Sequence, residues 1–383
     1  MQFRLVQTRD EFLELEHDWN ALLPRSAADT IFLTWEWLWS WWNAYARSGD
    51  RLHILVFRDN SGDLDAIIPL YRPVSNKLNF LSPRTLRFIG HGSADSDYLD
   101  IIMARGRESE VLNEFWKHLS AHKRSWDVLE LAAVPCTSPT LSWLHKLRKR
   151  DGLLFRGLTF PCAVADLPKS WDEYLSALHP RFRTKVRTTL RQIHEGHEVR
   201  FRSITDEEEL EPALEVLYQL HGRRWKSKGR SGVFLNPEKR RFYEHFTRHF
   251  LRRGWLAFDF LDVDEKPVAC QLCFRYEDTL YLLQEGFDPD FGHESVGIAL
   301  RAMVFKKAIE EGIKSYNFLA GLGRHKTQWI VKTTSCENVV LGQKTLRSMI
   351  YVKTPLFIEG AKERIKGIVP KTLLDVRHKL QSS

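Results

Sequence analysis

Apolar positions along this chain recur either every second residue or every third to fourth, and the switches between the two spacings predict its elements. Phe12, Leu15, Trp19, Leu22 and Leu23 predict a helix from Arg9 to Leu23, ended by Pro24. In FLTWEWLWSWWNAY, Trp35, Leu38, Trp39 and Trp42 share one helical face, which reads as packing rather than as an aromatic ligand wall. Arg51 to Arg58 and Leu64 to Tyr71 form a hairpin around Asp59-Asn60-Ser61-Gly62. Strand-like runs at Arg84 to Gly90 and Tyr98 to Met103, a helix from Ser109 to His122 and a strand from Asp127 to Ala132 follow.

From Gly157 the same order of elements recurs. Helices from Trp171 to His179 and Arg181 to Glu195 precede a strand (His197 to Ser203) and two helices, Asp206 to Lys226 and Pro237 to Arg253. A hairpin comes next, Trp255 to Leu261 and Pro267 to Arg275. A strand (Leu280 to Phe287), a helix capped at Ser295 and stopped at Gly312, and a strand from Ser315 to Leu319 complete the unit. RLHILVFRDNSGDLDAIIPLY matches GWLAFDFLDVDEKPVACQLCF in pattern, and WDVLELAAV matches KSYNFLAGL. The expectation is two tandem copies of one α/β (α+β) unit, residues 1–156 and 157–344, with a ligand cleft between them and a basic helical tail, 345–383.

Composition adds little to this picture except through charge. With 383 residues, 43% hydrophobic and 28% charged, the chain reads as soluble and long enough for two cores. A formal charge of +8 favours polyanions: nucleic acid, an acidic membrane surface, or a phosphorylated cofactor such as coenzyme A. Five cysteines without framework spacing indicate a reducing compartment, and Cys270 and Cys273 in ACQLCF read as small apolar strand residues. No apolar run approaches the roughly 20 residues of a membrane span. His91, Asp95 and Asp97 have metal-ligand chemistry, but no further cluster joins them, so GHGSADSD reads as a polar loop and no metal is assigned.

The richest stretch is Thr279 to Trp329. Its strand, glycine-containing loop and helix aim free backbone N–H groups beyond a strand end, and Gly292 and Gly297 leave room for a phosphate there. It is neither a P-loop nor a dinucleotide fingerprint. Glu285, at the end of YLLQEGF, is the candidate general base, with partial burial expected to raise its pKa. Lys326 is an anion-pairing candidate, and His325 a proton carrier or phosphate ligand. Tyr281 and Gln284 are placed toward the acceptor. Arg183, Arg187 and Arg191 form a positive stripe on the basic helix, fit for a coenzyme phosphate, a tRNA or an acidic headgroup. Lys and Arg among apolar residues in the tail suit either an anionic membrane surface or packing across the first half.

These segments resemble the GNAT-type acyltransferases of the CelD-like and FemAB-like group. The resemblance runs through RFRTKVRTTLRQ, LHGRRWKSKG, KPVACQLCF, GFDPDFGHESVGIAL and YNFLAGLGRHKTQW, with FLTWEWLWSWWNAY, IIPLY and SDYLDII in the first half, and covers roughly Ile31 to Gly342. It implies tandem GNAT-like domains, each a mixed, mainly antiparallel sheet flanked by helices, and acyl transfer from acetyl-CoA to an amino sugar or related precursor of a cell-surface polysaccharide in the cytoplasm. The donor would sit on Phe287, Gly292, Ser295, Val296 and Gly297 with Arg183 and Arg187, and the acceptor by Asn317 and Trp329. Gly321, Lys326 and Trp329 stand where the family has Gly, Lys and Trp. Asn317 replaces a usual Asp, and Leu322 and Gly323 replace common acids. Two alternatives follow: FemAB-like aminoacyl transfer from tRNA to a peptidoglycan precursor, and a non-catalytic subunit of an exopolysaccharide system.

Overall fold

A computed structural model describes residues 2–74, 81–93, 95–227 and 229–354. The first half opens with β1 (Gln2–Val6), α1 (Arg9–Glu14), α2 (Glu16–Leu22) and α3 (Trp35–Tyr45). The hairpin β2 (Arg51–Arg58) and β3 (Leu64–Arg72) is followed by β4 (Thr85–Phe88) and the short β5 (Ile102–Met103). Then come α4 (Glu108–Ala121), β6 (Val128–Pro135), α5 (Pro139–Asp151) and β7 (Leu154–Asp166). The second half has α6 (Trp171–Ala177), α7 (Pro180–Gly196), β8 (Val199–Ser203), α8 (Glu207–Lys226) and α9 (Pro237–Arg252). It continues through β9 (Leu256–Val263), β10 (Lys266–Tyr276), β11 (Thr279–Phe287), α10 (Val296–Glu310), β12 (Ser315–Ala320), α11 (Arg324–Thr327) and β13 (Lys332–Gly342).

Among the described residues the strands form one sheet, ordered β1-β2-β3-β4-β6-β13-β7-β12-β11-β10-β9-β8, with β5 on β3. The two ends repeat one another, as the tandem reading expects, but the middle is exchanged. β13, the last strand among the described residues, closes the first half against β6, whereas β7 closes the second half against β12. β7 and β13 pair with each other along their length, from Lys332↔Val164 to Gly342↔Leu154. The boundary expected at Gly157 therefore falls inside a strand. Gly157 is no turn residue; it lies under Glu337 of β13, whose Oε1 would come within 2.0 Å of an added Cβ.

Local chemistry explains most of the element ends. Thr34, Ser138 and Asn236 accept N–H groups at the starts of α3, α5 and α9, and left-handed Gly152 ends α5. The helix expected from Arg9 to Leu23 breaks at Leu15, and a capping box of Thr8 and Glu11 starts its first part. The strand expected from Tyr98 to Met103 shrinks to two residues, because Tyr98 has φ 54° and Asp100 turns its carboxylate to its neighbour's N–H. A helix over 346–354 packs on the first half; the rest of the proposed tail lies outside the described residues.

Helices cover both faces, and the core crosses the halves. Trp37 of α3 stacks among Phe242, Phe246 and Phe250 of α9 and Phe274 of β10, at centroid distances of 4.8–5.9 Å. The tryptophan-rich helix is thus packing, as its spacing predicts. Beside it, the buried Asp95 carboxylate receives the Lys239 ammonium at 2.7 and 2.8 Å and hydroxyls from Tyr243 (3.0 Å) and Tyr45 (3.3 Å). The Lys239 ammonium also reaches the Ser93 carbonyl, so both charges are satisfied away from water. Replacing Lys239 by Met leaves Asp95 buried without its cation. The expected loss is about 3–5 kcal/mol in urea unfolding, most of it recovered in a Lys239→Met, Asp95→Leu double variant.

Candidate functional site

Two strand pairs open the middle of this sheet. β11 pairs with β12 in parallel only over Thr279–Tyr281 and Ser315–Asn317, and β4 pairs with β6 only over Thr85–Arg87 and Val128–Glu130. Beyond those points the neighbours diverge. Between them lies a cavity of about 610 Å³, floored by β7 and β13 and walled by the loop 90–97, β12 and Lys326. Two backbone irregularities border it. β11 bulges at Leu283, which leaves that residue out of the ladder to β10, and Leu319 of β12 sits at φ 61° where the register to β7 slips.

The charged groups at the wall are few and well placed. Asp97 Oδ2 accepts the Ala320 N–H at 2.9 Å, and Lys326 Nζ donates to the carbonyls of Phe318 (2.7 Å) and Ala320 (2.6 Å). Burial pushes the Asp97 carboxyl up, against the Ala320 N–H and the nearby Lys326 ammonium; burial likewise lowers Lys326. Asn317 accepts the Leu319 N–H at 2.8 Å and donates to the Tyr98 hydroxyl at 3.1 Å, so it fixes the bulge and the loop carrying Asp97. Sequence reasoning missed Asp97, Leu283 and Leu319. The available signal was the acidic run GHGSADSD; both acids border the cavity, but Asp95 is taken by Lys239 whereas Asp97 meets only the Ala320 N–H.

Glu285 requires a correction. Burial raises its carboxyl, but the Arg301 and Arg224 guanidiniums outweigh this and hold it down to about 2, against the expected elevation. Arg224 donates at 3.0 Å, and Arg301 donates both to Glu285 and to the His325 carbonyl. A carboxylate so paired is a structural counter-ion rather than a proton acceptor near neutrality. Trp329 is also displaced from its expected role: it is fully buried between Phe305 and Phe182, at 5.0 Å from each. Tyr281 is buried edge-on to Phe32, and Gln284 faces Tyr243. His325 is exposed at its surface, yet desolvation by its surroundings lowers its pKa.

At the start of α10 the cap differs from expectation. Ser295 is left-handed (φ 57°) and its hydroxyl caps nothing. The N–H groups of Val296 and Gly297 find no acceptor among the described residues. An added Cβ at Gly297 would meet the Phe287 ring at an ordinary 3.5 Å, whereas at Gly292 it would approach the Pro289 carbonyl at 2.9 Å. The loop turn therefore demands Gly292, and Gly297 keeps the helix end open. Glu294 flanks this end, bridged to His293 (3.2 Å) and His197 (3.1 Å). α7 lies along α10; Arg183 donates to the Ser176 carbonyl, and Arg187 is exposed.

Residues 180–327 match the family model for the acetyltransferase (GNAT) domain. No curated protein matches the sequence. Among solved structures, FemX superimposes over 88% of this chain and 97% of its own, with TM-score 0.61 and 10% identity. A conserved protein of unknown function from Bacteroides thetaiotaomicron matches over 89% of this chain and 100% of its own (TM-score 0.56, 12% identity). L-PGS from Bacillus licheniformis matches over 88% and 95% (TM-score 0.51, 12% identity). At such identities the likeness is one of fold.

One prediction follows from Glu285. Its folded pKa lies below the ordinary 4.5, so its contribution, about 3 kcal/mol, is complete above pH 4.5 and disappears as pH falls toward 2. Urea unfolding of a Glu285→Gln variant should lose that part of the acid dependence.

Proposed function

Starting from a GNAT acyltransferase domain at residues 180–327, we propose that the chain transfers an acyl group from a coenzyme A thioester, acetyl-CoA, to an amine on an amino-sugar precursor of a cell-surface polysaccharide. The observation that carries this reading is the pair of unmet N–H groups at Val296 and Gly297, beside the split between β11 and β12. The donor diphosphate would take those N–H groups, and its pantetheine arm would run into the split. Cytoplasmic placement, at most peripheral to a membrane, accompanies this reading. Among the described residues no helix is long and apolar enough to cross a membrane.

The chemistry then belongs to the cavity wall. The acceptor nitrogen attacks the thioester carbonyl carbon, and the backbone at the Leu283 bulge, which lines the cavity and falls out of the ladder to β10, would supply an N–H to the oxyanion. The unbonded oxygen of Asp97 takes the amine proton, which its raised pKa favours. The C–S bond breaks, and the coenzyme A thiolate takes up that proton. Asp97 also bears on the departures from the family pattern. Where Asn317, Leu322 and Gly323 lack carboxylates, the first half supplies one through Asp97, bound to Ala320. Lys326 keeps its family position but serves first to hold two backbone carbonyls.

A second reading, aminoacyl transfer from a charged tRNA, draws on the exposed Arg181, Lys185, Arg187 and Arg191 of α7 alongside α10. Calorimetric titration separates the two. Acetyl-CoA and coenzyme A should bind, and Gly297→Asp, which has room for its side chain but places a carboxylate at the phosphates, should abolish binding. No heat at millimolar ligand, with salt-sensitive tRNA binding instead, would overturn the coenzyme A reading. Asp97→Asn should leave coenzyme A affinity unchanged and lower kcat by about 10²- to 10⁴-fold.

A further inference from the structure

Most charges that line the central cavity are neutralised within the protein. Asp95 holds Lys239, and Glu130 holds Arg87 at 2.7 Å and the Tyr351 hydroxyl at 2.9 Å, with His91 3.9 Å away. Lys326 and one oxygen of Asp97 are engaged with β12. Arg156 differs. It lines the cavity from β7, and its Nη1 donates to the Tyr351 and Val352 carbonyls at 3.2 and 3.4 Å, yet no carboxylate among the described residues pairs with it. A half-buried guanidinium in a cleft, with donors left over and no acid beside it, is a receptor for an anion brought by a ligand.

Its position sets how long that ligand must be. Ala320, which holds Asp97, pairs with Cys162 on β7, and Arg156 lies six residues along the same strand. At about 3.3 Å per residue this is roughly 20 Å. Leu158 and Phe160 intervene on the same face, and Leu158 is 60% exposed on the cavity floor. Apolar surface left open between two polar ends matches a ligand with an apolar middle.

Building on the acyl-transfer reading, we propose that Arg156 is a specificity-determining residue, and that the acceptor is an elongated molecule with its amine at Asp97 and an anionic group, carboxylate or phosphate, on Arg156. A short neutral amino sugar would fill only the Asp97 end of the trough.

The test uses amines that differ only in length and terminal charge. Acetyl transfer from acetyl-CoA is measured for 6-aminohexanoate, 12-aminododecanoate and the neutral 12-amino-1-dodecanol, and binding of each is measured by calorimetry. The expected result is a kcat/KM for 12-aminododecanoate about 10- to 100-fold above those of the short acid and the neutral amine, the gain of one charge-assisted contact. Arg156→Gln should bring the ratio of acid to alcohol close to one, and Arg156→Lys should restore part of it; a purely structural Arg156 would lower both rates together. Equal kinetics for the two twelve-carbon amines in the wild type, or a preference surviving in Arg156→Gln, overturns the proposal. If no amine is acetylated and coenzyme A does not bind, the transfer reading fails by itself. The arginine assignment is then decided by binding: 12-aminododecanoate held by the wild type and lost from Arg156→Gln supports it, and absence of binding overturns it.

Discussion

The pairing of β7 with β13 is the constraint on which the rest of the molecule depends. Each strand is sequentially the end of one half and structurally the edge of the other, so neither half has a complete sheet without its neighbour. Alternation along a strand makes this pairing unforgiving. A slip of one residue would turn Arg156, Leu158 and Phe160 away from the cavity and drive Glu337 into another neighbour than Gly157. The cavity floor and the junction of the halves are thus the same object.

Around that junction two buried acids are matched by cations, whereas a third meets a single backbone N–H. The matched acids are Asp95 with Lys239 and Glu285 with two arginines. Asp97 is the third, and a single N–H and a neighbouring ammonium do not offset its burial. The difference between Glu285 and Asp97 lies in their surroundings and not in the residue type, and those surroundings come from helices and loops far away in the chain.

This explains how much the sequence disclosed. The hairpins β2–β3 and β9–β10 and the amphipathic helices stood out because their periodicity is local, and the repeat followed from their order. β7 and β13 did not stand out. β7 contains Gly157, where the second unit was expected to begin, and the start of β13, Lys332 to Asn338, is mostly polar. Both features answer to the partner strand. Glu285 was visible as a carboxylate at a strand end, but its partner Arg224 lies 61 residues away. The helix start of α10 was legible from its glycines, although the left-handed Ser295 was not.

The exchange of the closing strands also orders events in time. β6 emerges from the ribosome early, and the strand that covers its free edge begins only at Lys332, roughly 200 residues later. At about 5–20 residues per second, that edge stays open for some ten to forty seconds of synthesis. During this interval its unpaired N–H and C=O groups offer a template to any extended segment nearby, including those of other nascent chains. The first half therefore leaves the ribosome with one edge of its sheet uncovered, and that edge closes only when β13 arrives.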